Sequence, residues 1–174
     1  MYAFVKNGNV TQVGELVVLS AGLFVQPTGD AYDAWAYEHG VFPIVEGEQK
    51  DQRFYWVTFD QHTFDVDKVV RTYTNTPKAL EDVSETPEGA TEPVVTKGLK
   101  SQWIAQVKAT AGSMLAPTDW MVWRKFERMV DIPEDVATAR AAILAECTRL
   151  EADITAATDV EALIAVVQAQ NWTA

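Results

Sequence analysis

The sequence predicts an α+β protein: a small N-terminal antiparallel β-rich module (residues 1–75), an acidic proline-containing linker (76–98) and a C-terminal α-helical hairpin or bundle (99–174). Three observations carry this reading. Branched and aromatic runs with an Asn-Gly pair crowd the first segment, prolines and acids dominate the second, and from Leu99 onward apolar residues recur every three or four positions. The first pattern suits a pleated sheet and the last suits one face of a helix.

Ala3 to Lys6 and Asn9 to Val13 flank Asn7-Gly8, the pair that tolerates the positive φ angles of a two-residue type I′ turn, which predicts a hairpin. Leu16 to Leu19 and Leu23 to Gln26 read as short strands punctuated by Gly22 and Pro27-Thr28-Gly29-Asp30. Asp33 to His39 reads as a single helical turn before the extended Gly40 to Val45. Arg53 to Phe59 and Phe64 to Tyr73 read as a second hairpin with its turn between them. Strand alternation would send Phe54 and Trp56 into the sheet's own core and leave Tyr55 exposed.

Pro77, Pro87 and Pro93 lie among Glu81, Asp82, Glu85, Glu88 and Glu92, a composition that extends and repels itself. It reads either as a plain tether or as a segment ordered along a partner. Beyond it, Trp103, Ile104, Val107, Ala111, Met114 and Leu115 predict an amphipathic helix from Ser101 to Leu115, interrupted by Pro117. Thr118 or Asp119 would cap a second helix, Trp120 to Val130. Pro133 and the acids Glu134 and Asp135 would open a third, with Val136, Ile143, Cys147, Leu150 and Ile154 facing inward. Thr158-Asp159-Val160-Glu161 reads as a capping box for a last helix carrying Leu163, Ile164 and Val167.

Charge narrows the function. The 174 residues hold 14 bases and 25 acids, a formal charge of −11, and phosphate backbones are repelled by such a surface, so nucleic acid is not an expected partner. With 48% apolar and 22% charged residues the chain is of globular type. No aliphatic run approaches the ~20 residues of a membrane span, so no membrane partner is expected. Met1 to Gly8 lacks the basic start and apolar stretch of a secretion signal, and the lone Cys147 cannot form an internal disulfide; folding in a cytoplasm is expected.

No phosphate loop, dinucleotide fingerprint, nucleophile elbow or Cys-x-x-Cys pair occurs, so no catalytic or cofactor-binding residue is assigned and no enzyme is expected. Asp60-x-His62-x-x-Asp65-x-Asp67 gathers oxygen and imidazole donors near the expected turn, but alternation turns Asp65 and Asp67 to solvent, and the segment reads as a solvated hairpin without metal. His39 reads as a surface histidine and Cys147 as a small buried hydrophobe. Arg124, Lys125 and Arg128 share one arc of the second C-terminal helix, expected to pair with acids of neighbouring helices. Trp120, Val122, Trp123, Phe126 and Val130 in the opposite arc are expected to fill the helical core.

Leu115-Ala116-Pro117-Thr118-Asp119-Trp120-Met121-Val122-Trp123-Arg124, followed by Ile132-Pro133 and Ala139-Arg140, resembles the C-terminal signature of the tail fibre assembly proteins of tailed bacteriophages. That signature is a helix ending in leucine, Thr-Asp-Trp, an arginine four residues on, a proline, and a Tyr-Arg pair whose tyrosine is here Ala139. The resemblance spans roughly Trp103 to Leu150, and the Met-Tyr-Ala start and Gly40-Val41-Phe42-Pro43-Ile44-Val45 are similar to the front modules of such proteins. It implies Leu115, Thr118, Asp119, Trp120, Arg124, Pro133 and Arg140 as structural motif residues, with Arg124 placed to meet an acidic partner. It also implies a non-catalytic accessory that binds a trimeric tail fibre in the host cytoplasm, helps it trimerise, and in some relatives stays on the virion tail. Phe54-Tyr55-Trp56 would form the fibre-binding surface, with Tyr55 and Trp56 as contacts. A structural tail or baseplate subunit is the alternative within this class; outside it stands a glycan-binding adhesin or glycan-cleaving enzyme using the β module's tryptophans.

Overall fold

The computed structural model describes residues 1–15, 17–18, 24–25, 36–89 and 91–172, and the chain divides into two compact units, Met1–Thr76 and Pro77–Ala174. In the first unit, Asn7 and Gly8 both take positive φ, 53° and 77°, and close the expected hairpin between β1 (Tyr2–Lys6) and β2 (Asn9–Gly14). The register slips between Phe4 and Val5, where Thr11 is the extra residue and its hydroxyl donates to the Phe4 carbonyl at 3.1 Å. Such a bulge sharpens the local twist. The two expected short strands appear as β3 (Val17–Val18) and β4 (Phe24–Val25), paired antiparallel; their flanks, Gly22 and Pro27 to Asp30 lie outside the described residues. Residues 36–38 are helical, and residues 33–35 of that expected turn are likewise not described.

Strands β5 (Val41–Glu46), β6 (Tyr55–Asp65) and β7 (Lys68–Pro77) complete a five-stranded sheet in the order β2-β1-β5-β7-β6. The expectation of a purely antiparallel sheet fails at one place: β5 and β7 run parallel, with Ile44, Val45 and Glu46 opposite Val69, Val70 and Arg71. The reason is topological. β6 turns back directly into β7, and β7 takes the place beside β5, so the loop after β5 plus the whole of β6 supplies the long connection that parallel neighbours require. The turn of this hairpin also lies later than expected. It falls at Val66-Asp67, with Val66 at φ 50°, so Asp60 to Thr63 belong to β6. Edge strands β2 and β6 approach within 8 Å between Cα atoms, which curls the sheet around Ala3, Val41, Phe54, Tyr55 and Val69, all buried.

In the second unit the acidic stretch carries a two-stranded antiparallel hairpin, β8 (Val83–Glu85) with β9 (Val94–Thr96). Every residue of both strands is exposed, the three valines among them. The chain then enters α1 (Leu99–Leu115), whose first N–H groups donate not to a capping side chain but to the carbonyls of Ala79 and Leu80, at 2.9 and 3.0 Å. This satisfies donors that a helix start otherwise leaves to water. It requires Gly98, where a Cβ would lie 2.3 Å from the Glu81 carbonyl oxygen. The amide of Gly98 donates to Asp82 at 2.8 Å, and Lys100 pairs with Glu81 at 2.6 Å, fastening hairpin and helix together.

Pro117 sits in a 3₁₀ turn, Ala116–Thr118, that leads into α2 (Asp119–Arg128). Met129 at φ 54° ends α2 in the left-handed conformation. Pro133 fixes the extended approach to α3 (Glu134–Ala156), which packs along α1 and buries Ile143, Cys147, Leu150 and Ile154 as the 3.6-residue period requires. Val136 is only half-buried. Lys108 of α1 meets Glu151 of α3 at 3.0 Å. The last helix, α4 (Val160–Gln168), packs on α3 through Val160 and Leu163. Its cap is Asp159, one residue later than the capping box puts it, accepting from the Ala162 amide at 2.8 Å. Among the described residues no helix is long and apolar enough to cross a membrane.

Candidate functional site

Helix α2 departs most from expectation. Asp119 at its positive end and Lys125 and Arg128 in its last turn suit the helix dipole, and its residues separate into an apolar and a charged arc. The apolar arc does not fill the helical core: no residue of α2 is buried, Trp123 is 66% exposed and Phe126 77%, and Trp120, Val122, Met129 and Val130 are exposed as well. Amphipathicity identifies which face is apolar; the 3₁₀ turn at Pro117 and the left-handed Met129 bound the helix, and none of the described residues buries that face.

Trp120, Trp123, Arg124, Glu127 and Arg128 line an open groove of about 360 Å³ along this helix. The Arg124 guanidinium lies over the Trp120 ring, 4.9 Å from its centroid, a favourable cation–π position. Arg124 Nε is enclosed and has no hydrogen-bond partner among the described residues. Of the expected basic arc, Lys125 alone finds an acid on a neighbouring segment among the described residues, Asp131 at 3.1 Å. Isolated large apolar side chains are ordinary on a surface, but a contiguous aromatic face with a charged margin marks an interaction surface.

The root of α2 is fixed by Arg140. Its guanidinium donates to the Leu115 carbonyl at 2.9 Å, to Thr118 Oγ1 at 2.6 Å and to Asp119 Oδ1 at 2.8 Å. Neither Thr118 nor Asp119 therefore caps α2 as expected: Thr118 is the cap residue by position, but its hydroxyl donates back to Leu115 at 3.0 Å. The motif residues thus converge in part. Leu115, Thr118, Asp119 and Arg140 form one cluster, Trp120 and Arg124 form a stacked pair one turn on, and Pro133 lies apart at the start of α3.

In the sheet unit the expected contact pair splits. Tyr55 is buried, 6% exposed, with its hydroxyl 3.4 Å from Lys50 Nζ, and Trp56 is 64% exposed. The strand begins at Tyr55, so inward alternation starts there. Phe54 precedes the strand, its amide bonded to the Asp51 carbonyl at 2.9 Å, and its burial follows from that turn. Among the described residues no three His, Cys, Asp or Glu side chains converge as metal ligands, and Asp65 instead faces Lys68 at 3.9 Å. Cys147 is buried; burial, aided by the hydrogen bond it donates to Glu151 at 3.4 Å, pushes its thiol pKa up, away from nucleophilic use.

A second cluster escaped the sequence reading. Glu46 accepts from the Tyr73 hydroxyl and from Arg71 Nη1, the latter at 3.3 Å. Arg71 also lies over Phe59 at 5.2 Å, and Phe59 stands 5.0 Å from the His62 ring. Arg71 and Tyr73 share a face of β7, but their juxtaposition with Glu46 depends on the parallel register of β5 and β7, which no local pattern announces. The Tyr73 hydrogen bond is the main force holding the Glu46 carboxyl below its usual range.

Together, the aromatic and guanidinium groups of α2 offer burial, ring stacking and charge-assisted hydrogen bonding, the means of holding another protein chain. No family model, characterised protein or solved structure matches this chain.

Proposed function

We propose that this chain is a non-catalytic accessory of a trimeric phage tail fibre, an assembly chaperone or fibre-associated virion protein, and that it engages its partner through α2. The observation that carries the reading is the exposed aromatic arc of α2 beside Arg124, within the segment whose sequence resembles the fibre-assembly signature. Tryptophan and arginine are the residues that most often dominate interface energetics. On this reading Arg140 sets the direction in which α2 presents its aromatics. The protein works in the host cytoplasm during assembly, remains with the virion tail or leaves it, and uses neither nucleic acid nor membrane.

The test is co-expression with a tail fibre protein encoded in the same phage genome. A soluble fibre trimer should form in the presence of this chain and fail without it, and Trp123→Ala with Phe126→Ala should abolish the effect while leaving the helical circular dichroism intact. A fibre that trimerises equally well alone overturns the reading. Mass spectrometry of purified virions then separates a retained component from a released one.

A further inference from the structure

We infer that, when no other partner occupies it, the aromatic face of α2 is covered by the β8–β9 hairpin of a second copy of this chain. The argument is complementarity between two surfaces of one unit. The α2 surface is apolar with cations at its margin: Arg124 and Arg128 have no acidic partner among the described residues, although Glu127 lies between them. The hairpin is the reverse, apolar with anions at its margin. Val83 and Val94 are exposed, and the register places Val83 opposite Thr96 and Glu85 opposite Val94, so both valines and Glu85 stand on one face. Residues directly opposite in an antiparallel pair point to the same side of the ribbon.

The acids divide by what they already hold. Glu81 is paired with Lys100, and Asp82 accepts from the Gly98 amide, so both are committed to joining the hairpin to α1. Glu85, Glu88 and Glu92 make no ion pair among the described residues and are exposed. A three-residue, two-stranded ribbon with every position exposed is also marginal alone and gains from being covered. Because the two surfaces differ, the contact is head to tail: each copy offers its hairpin to one neighbour and its α2 to another, or two copies exchange both. This association does not depend on the fibre reading, and its test uses no fibre.

The experiment is analytical ultracentrifugation of the full chain and two charge-reversed variants, Glu85→Lys/Glu88→Lys/Glu92→Lys and Arg124→Glu/Arg128→Glu. The unaltered chain should associate with rising concentration, less so in high salt. Each variant alone should sediment as a monomer with unchanged circular dichroism, and an equimolar mixture should recover a 1:1 complex, since the basic hairpin of one meets the acidic α2 of the other. As a reading independent of charge, Val94→Cys and Phe126→Cys chains mixed under oxidation should give a mixed disulfide. A chain that stays monomeric at its solubility limit overturns the inference. So does a dimer that survives both reversals, which would set one α2 face against another.

Discussion

Arg140 and Asp119, twenty-one positions apart, meet at 2.8 Å, and the same guanidinium reaches the Leu115 carbonyl and the Thr118 hydroxyl. One side chain of α3 thereby closes the end of α1, occupies the turn around Pro117 and fixes the start of α2. Arg140→Ala should cost about 2 kcal/mol in urea unfolding, the scale of hydrogen bonds to a charged group with the exposed Asp119 contributing least. Arg140→Lys should recover only part, because an ammonium cannot reproduce a planar fork. If Arg140→Ala is as stable as the parent, the cluster does not organise this turn.

Core and interface residues should separate cleanly under mutation. Leu150 is fully buried between the helices, and Leu150→Ala should lower stability by about 3 kcal/mol through lost burial and a residual cavity. Trp123→Ala removes a larger side chain yet should change stability by no more than about 0.5 kcal/mol, because that ring is exposed. Chemical denaturation of the two variants decides the point; a Trp123 variant as damaged as the Leu150 one would mean that the aromatic face is covered within the chain.

The Glu46–Tyr73 pair predicts a pH signature with two limbs. Glu46 is lowered, chiefly by the Tyr73 hydrogen bond and then by Arg71, so its contribution to stability is present above the ordinary value of 4.5 and is lost as pH falls through its folded value. Tyr73 is raised, chiefly by the same hydrogen bond, so its contribution is present below the ordinary 10.0 and is lost as pH rises through its folded value. In Tyr73→Phe the Glu46 carboxyl, followed by NMR, should titrate at higher pH than in the parent. An unmoved midpoint would remove the hydrogen bond as cause.

Cys147 should react slowly with an aromatic disulfide reagent at mildly alkaline pH in the native state and rapidly once unfolded, because burial both shields the sulfur and disfavours the thiolate. Fast, stoichiometric labelling of the native protein would contradict the packing of α3 on α1.

Local signals were the legible ones. Asn7-Gly8 announces its turn because two positive φ angles are needed there, and the spacing of Ile143, Cys147, Leu150 and Ile154 announces a buried stripe because a helix repeats every 3.6 residues. The parallel β5–β7 pair was not legible, since it depends on which strand of a hairpin docks beside β5. Tyr55 and Trp56 exchanged places with expectation because alternation predicts sides only once the first strand residue is known, and that residue is set by the turn at Asp51. The α2 aromatics were legible as a face but not as an exposed one. Arg140 stands in the recognisable motif, yet nothing in its spacing tells that it would take over the contacts of two expected caps.

Gly98 bears on which sequences this fold can accept. Around it the chain is permissive: both strands of the hairpin lie in water, and side chains there can change at little cost to the fold. At Gly98 itself a single added carbon would overlap the Glu81 and Leu80 carbonyl oxygens, at 2.3 and 2.4 Å. The fold itself therefore constrains this one position far more tightly than the hairpin's side chains, so that the least conspicuous residue of the segment is the one that decides whether its surface stays attached to the helices.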